Sequence, residues 1–255
     1  MNSFLITLKF RNEPLFIFGL LCFITAIALA VASRANPFQV AGTNAWYKPV
    51  KFALSIGIFC WTMGWFTGYL NLPWQVTIYN WVTISVLGFE LVYITWQAAR
   101  GQLSHFNRST PLYAALYGAM AFAASAVTLH TAYIGLLFCT KTFPQLPDYY
   151  LWSIRLGIFL FVIFAFEGAI MGGRMAHTIG GPDGSGGLPF LNWSRRFGDP
   201  RIAHFIGMHA LQVLPLLAFY LLKDVKLTWL AAVVYGVIAM LLLAQALNGR
   251  PLVRA

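Results

Sequence analysis

The sequence predicts an all-α integral membrane protein, a single bundle of seven transmembrane helices with an external N-terminus and an internal C-terminus. Three observations carry that prediction. Of the 255 residues, 59% are hydrophobic and only 9% charged, whereas a soluble globule carries about 25% charged residues. Seven apolar runs can be marked off, each long enough to cross roughly 30 Å of hydrocarbon as a helix of about 20 residues. Runs such as FIFGLLCFITAIALAVA at 16–32 show none of the period-two alternation a membrane barrel needs. In hydrocarbon every backbone polar group must be paired within the chain, and helices achieve this.

The seven spans fall at about 14–33, 49–70, 74–98, 111–140, 149–175, 202–222 and 227–247. They fill most of 1–255, which reads as one polytopic membrane domain. The first has no ionisable residue. The second opens at Pro49, a favourable first-turn position because the missing N–H would have no helical partner. An Asn-Leu-Pro turn at 71–73 leads into the third. The fifth carries Gly168-x-x-x-Gly172, a small-residue pattern that lets helices approach closely. In the sixth, Pro215 removes the hydrogen bond to the Leu211 carbonyl. Tryptophan and tyrosine cluster near the span ends (Trp46, Tyr47, Trp65, Tyr69, Trp74, Tyr149, Tyr150, Trp152), as in interfacial belts.

Orientation follows from the basic residues. Of the 17 lysines and arginines, 11 fall on one side of a seven-span layout: Arg34, Lys48, Lys51, Arg100, Arg108, Arg174, Arg195, Arg196, Arg201, Arg250 and Arg254. That side is expected to be cytoplasmic. The same layout explains the net charge of +10 without nucleic acid, since most basic residues flank apolar runs. The expected setting is a cell membrane, the inner membrane if the source is bacterial. The expected partners are the lipid bilayer and a lipid or small-molecule ligand. Cys22, Cys60 and Cys139 stand singly in apolar segments and are expected to be buried, inert thiols. No small-x-small cleavage site follows the first residues, so no signal peptide is read.

Two carboxylates lie inside spans, Glu90 and Glu167. A charge at mid-helix costs at least ~2.5–3.5 kcal/mol on insertion scales, so such groups point to function. Each lies about eight residues before the cytoplasmic end of its span, and His209 about eight residues into the sixth. At 1.5 Å per residue all three fall about 12 Å below that end. Glu90, Glu167 and His209 are therefore candidate catalytic or metal-binding residues. His177, His204, His209 and Gln212 are candidate cofactor contacts, and Lys51, Arg100 and Arg174 candidate counter-charges. Carboxylate with imidazole suits a non-haem metal, iron or zinc, and the histidines could serve haem b as axial ligands. Glu90, Tyr93 and Gln97 share one helical stripe.

The 23 residues from Thr178 to Pro200 form a long loop that reads equally as a lid over the cytoplasmic mouth, or a contact with anionic lipid headgroups, and as a plain connector. Gly180, Gly181, Gly186 and Gly187 could turn backbone N–H groups toward an anion, with Arg195 and Arg196 beside them. The pattern is neither Walker A nor a dinucleotide fingerprint. A weak internal echo joins Phe89-Glu90 to Phe166-Glu167 and Ser104-His105-Phe106 to Ala203-His204-Phe205. The expected function is a membrane-embedded, metal- or haem-dependent redox or lipid-modifying protein with a Glu/His pocket. The alternatives are a proton-coupled small-solute carrier using the same groups, and a non-catalytic scaffold or assembly subunit.

Overall fold

In the computed structural model, residues 2–35, 39–40, 42–184 and 186–254 are described; Ser185, inside the glycine-rich loop, lies outside them. The described residues are mostly helical. The order is α1 (Asn2–Arg11), α2 (Glu13–Ala35), a two-strand antiparallel pair β1 (Gln39–Val40) and β2 (Thr43–Asn44), then α3 (Tyr47–Thr67) and α4 (Pro73–Ala99). Next come α5 (Pro111–Thr140), α6 (Asp148–Arg174), α7 (Arg201–Leu217) and α8 (Val225–Leu247). Seven helices are long and apolar enough to cross a membrane: α2 to α6, α7 together with its continuation to Leu222, and α8. The boundaries agree with the sequence reading to within a few residues.

The exception is α1, where no helix was expected. Its ten residues are too few to span, and it holds to its neighbours through one face: Leu8 is fully buried, while Phe4 stacks on Trp65 at 5.2 Å. The cysteine expectation also needs correction. Cys22 and Cys60 are buried, but Cys139 is exposed, because it lies on a face of α5 without a packed neighbour. An apolar segment does not by itself bury every position of a membrane helix.

The chain forms two compact units, Met1–Val127 and Thr128–Ala255, and α5 runs through the division. In the first unit α2 and α3 pack through small residues. A Cβ at Gly57 would stand 2.8 Å from the Phe23 ring, and the Trp61 indole N–H donates to the Phe16 carbonyl at 3.1 Å. A buried polar knot ties three elements together. The Asn12 amide donates to Thr67 Oγ1 and Asn80 Oδ1, both at 2.9 Å, and Asn80 returns a bond of 3.0 Å to Asn12. Each such bond contributes about 0.5–1.5 kcal/mol, and a buried orphan would cost more.

In the second unit α6, α7 and α8 share a core of Leu160, Phe164, Ala203, Ala210, Leu214, Ala232, Ala239 and Leu243. Small residues again set the spacing: a Cβ on Gly157 would reach 3.0 Å from the Ala210 carbonyl oxygen. Pro215 does not stop α7. The helix continues to Leu217 and then widens into a π-helical turn, Ala218–Leu222, closed by Lys223 N–H to the Ala218 carbonyl at 3.0 Å. Arg155, about two turns into α6, donates from Nε to the Phe138 carbonyl at 2.9 Å. That carbonyl is among the last four of α5, which have no partner in their own helix.

Candidate functional site

In the second unit, Glu167 lies near the end of α6 on the side packed against α7. Its side chain is only 3% exposed, and its Oε2 stands 3.3 Å from His204 Nδ1. His204 is the fourth residue of α7, so the loop between α6 and α7 returns the chain to put an imidazole against the carboxylate. Gly168 makes this possible: a Cβ there would stand 3.0 Å from His204 Cε1. His204 Nδ1 also lies 2.6 Å from the Phe164 carbonyl. A ring nitrogen has one hydrogen, and the carbonyl is the nearer acceptor. The contact with Glu167 is thus a close approach of charge-bearing groups and not a hydrogen bond, which fits the finding that neither Glu167 oxygen has a hydrogen-bond partner.

His209 lies five residues further along α7, about 140° around the helix from His204. Its Nδ1 is 2.7 Å from the Phe205 carbonyl, and its ring lies 4.1 Å from the Phe205 ring, which in turn meets Trp193 at 5.6 Å. Gln212 follows on the same helix. Arg174 is exposed at the end of α6 and forms no ion pair with Glu167. Of the predicted cluster, then, Glu167 is brought to His204.

Glu90 belongs to the first unit. It is buried in α4, as are Tyr93 and Gln97 of the same stripe. The Gln97 amide donates to Tyr93 Oη at 3.2 Å and to the Leu103 carbonyl at 3.0 Å, while its own Oε1 has no partner. No ion pair reaches Glu90 among the described residues. Arg100 lies over the Trp96 ring at 4.9 Å instead. Lys51 is half-buried in α3. The internal echo ends here: His105 faces Phe52 and Tyr117, at 5.8 and 6.3 Å between ring centres.

The 178–200 loop is knitted together by two aspartates. Asp183 accepts from the N–H groups of His177 (2.9 Å) and Thr178 (2.9 Å) and lies 2.8 Å from His177 Nδ1 and 2.7 Å from Thr178 Oγ1. Burial alone would raise its carboxyl. The bonds from the His177 ring and backbone and from the Thr178 hydroxyl outweigh that and hold it well below the usual carboxylate range. Asp199, whose side chain is fully buried, takes Arg201 Nε at 2.8 Å and Nη2 at 2.5 Å, with Ser194 N–H at 2.8 Å. Ile179 and Gly198 exchange backbone bonds of 2.9 and 3.1 Å.

The predicted anion cradle uses its glycines otherwise. Phe197 packs where a Gly181 side chain would be, Asn192 where a Gly187 side chain would be, and Gly180 (φ +97°) lies beside Gly249. Gly186 (φ +60°) is open. Arg195 Nη2 donates to the Arg254 carbonyl at 3.1 Å, and Arg196 is exposed. Sequence reasoning missed Asp199, although Asp-Pro-Arg at a helix start is a legible signal: Asp199 Oδ1 accepts the Arg201 N–H at 3.1 Å. It also missed the Asn12 knot, whose members are 55 and 68 residues apart in sequence.

Among the described residues no three histidines, cysteines or carboxylates gather as a metal-ligand group. Comparisons with protein families, with curated proteins and with solved structures find no match to this chain.

Proposed function

We propose that this protein is a proton-coupled carrier of a small solute, with Glu167 and His204 as its proton-bearing pair. The observation that carries the reading is the buried Glu167 carboxylate, with no hydrogen bond to either oxygen and an imidazole nitrogen 3.3 Å away. In low dielectric an isolated carboxylate must either hold a proton or face a cation. With Nδ1 held by the Phe164 carbonyl, His204 becomes that cation only when Nε2 is protonated. The two groups thus exchange between a neutral pair and an ion pair. A ligand or a change in hydration that favours one state moves a proton, which is the coupling that intramembrane Glu and His serve in carriers. A scaffold would be better served by a fixed Glu167–Arg174 bridge, and α6 does not make one.

The metal- or haem-dependent reading is second. It is favoured by His204 and His209, each with Nδ1 at a backbone carbonyl, the arrangement that presents Nε2 to a metal. We assign the chain an N-out, C-in orientation from its basic residues.

Infrared spectra of the purified protein across pH test the pair, and proton flux into proteoliposomes tests the carrier. The carboxyl band of protonated Glu167 is expected to vanish in Glu167→Gln and to change its pH midpoint in His204→Gln. Flux is expected to fall at least ~10-fold in both, since each change removes one member of the proton-bearing pair. A band whose midpoint ignores residue 204, or flux that survives both changes, sinks the proposal.

A further inference from the structure

At the far end of α8 the chain forms a groove of about 570 Å³, within the usual size of a small-molecule site. Its walls include Gln245, Asn248, Arg250 and Arg254 on the polar side and Leu241 and Leu252 on the apolar side. None of the described residues that line it is a carboxylate. We propose that this groove binds one anionic phospholipid, its phosphate held by Arg250 and Arg254 and its acyl chain laid along Leu241.

Three observations carry the assignment. Among the described residues neither the Arg250 nor the Arg254 guanidinium has a hydrogen bond or ion pair, and both residues are exposed. Among the described residues these two positive charges share one concavity without a partner, and the two non-bridging oxygens of a phosphate diester match the guanidinium fork. The tail is also tied in place: Gln245 Nε2 donates to the Pro251 carbonyl at 2.8 Å, and Arg195 Nη2 to the Arg254 carbonyl at 3.1 Å. The charges therefore sit on a held segment.

The helix dipole opposes an anion here, because this is a C-terminus carrying about −0.5 charge. It is outweighed by two whole guanidinium charges. Three of the last four carbonyls are also already occupied: Ala244 takes the Asn248 N–H and side chain, Gln245 the Arg250 N–H, and Ala246 the Gly249 N–H.

The apolar wall decides for a lipid over free phosphate. Leu241 is 63% exposed and Leu252 43% exposed. Leu241 belongs to the membrane-crossing length of α8, where an acyl chain is the natural neighbour. Inorganic phosphate would leave both leucines uncovered, whereas a diacyl phospholipid places phosphate at the arginines and hydrocarbon on the leucines together.

The test uses the full chain in neutral detergent. It is titrated with phosphatidylglycerol, phosphatidylcholine and inorganic phosphate in parallel, with bound lipid read by native mass spectrometry and stability by Tm. Saturable binding of one phosphatidylglycerol with a rise in Tm is expected, with much weaker binding of phosphatidylcholine. Arg250→Gln and Arg254→Gln should each weaken it about fivefold and the double variant about 30-fold. Leu241→Asn should weaken phosphatidylglycerol binding while leaving the charges intact. The lipid-free Tm of each variant shows that it is folded. Equal binding of the two lipids, an unchanged double variant, or a Tm rise with inorganic phosphate equal to that with phosphatidylglycerol overturns the proposal.

Discussion

Gly168 and Gly207 sit on facing helices, and each makes room for one side chain of its partner. Gly207 in α7 is filled from above by the Phe164 ring, and Gly168 in α6 admits His204, with a Cβ position 3.0 Å from Cε1. The two should respond differently to the same methyl group. Gly207→Ala forces a ring of the core to move and should cost about 1–3 kcal/mol, read as a lower Tm. Gly168→Ala meets the edge of a ring that can shift, so it should cost less stability but displace the pH midpoint of the Glu167 carboxyl band. Equal losses of stability with an unmoved band would show that His204 is not held by that contact. The small-x-x-x-small pattern at 168–172 announced a close helix contact, but not its partner. Nor did equal depth select His204 over His209. Counting residues from the span ends treated the ends as level, whereas Glu167 lies seven residues from the end of α6 and His204 three from the start of α7. That stagger is about 6 Å at 1.5 Å per residue. Rotation then decides, since only His204 faces α6.

At the scale of the element, the 178–200 loop is a folded structure held at two knots, and its glycines serve packing and turns. Its length and glycine content were legible in the sequence. Its knots were not, because they depend on which backbone N–H groups a carboxylate meets after folding. The Asp183 knot is sensitive to acid. Its folded pKa lies below the ordinary carboxylate value near ~3.9, so the stabilisation it supplies is fully present above about pH 4. It is lost only as pH falls through the lower folded value. Limited proteolysis of the loop should therefore be unchanged from neutral pH down to about pH 4 and rise below that, and Asp183→Asn should show the acid pattern already at neutral pH. Asp199→Ala should open the loop further. It strands the Arg201 guanidinium beside the Asn192 carbonyl, and breaking a buried pair costs up to ~3–5 kcal/mol. Cleavage of Asp199→Ala at the rate of the parent would show that the pair does not hold the loop.

For the molecule as a whole, seven long apolar helices were legible because hydrocarbon imposes a length and a composition that no internal contact can disguise. The short α1 was not, since MNSFLITLKFR is too short and too mixed to signal a span, and its helix rests on tertiary contacts. The orientation rests on how the basic residues group by side, and local contacts bear on that grouping. Arg11 lies over Trp65 at 3.9 Å and Tyr69 at 4.2 Å, placing it with the C-terminal end of α3. Arg195 meets the Arg254 backbone, so the 178–200 loop and the end of α8 share a side. Arg155 is engaged from within α6 with the Phe138 carbonyl and Lys51 lies within α3, so one loop charge leaves each side of the 11-to-6 count. A membrane-impermeant maleimide can decide the orientation in intact cells. Exposed Cys139 is first removed as Cys139→Ser, since it would report on its own. Thr142→Cys, in the turn after α5, should then be labelled from outside. Ser109→Cys, in the turn before α5, should be labelled only after the membrane is opened. Both positions are exposed and lie at opposite ends of one helix, so their labels must be complementary if α5 crosses. The reverse pattern would invert the molecule. Glu167, the loop and the arginine groove would then face outward, and the excess of positive charge would lie on the side where the positive-inside rule disfavours it.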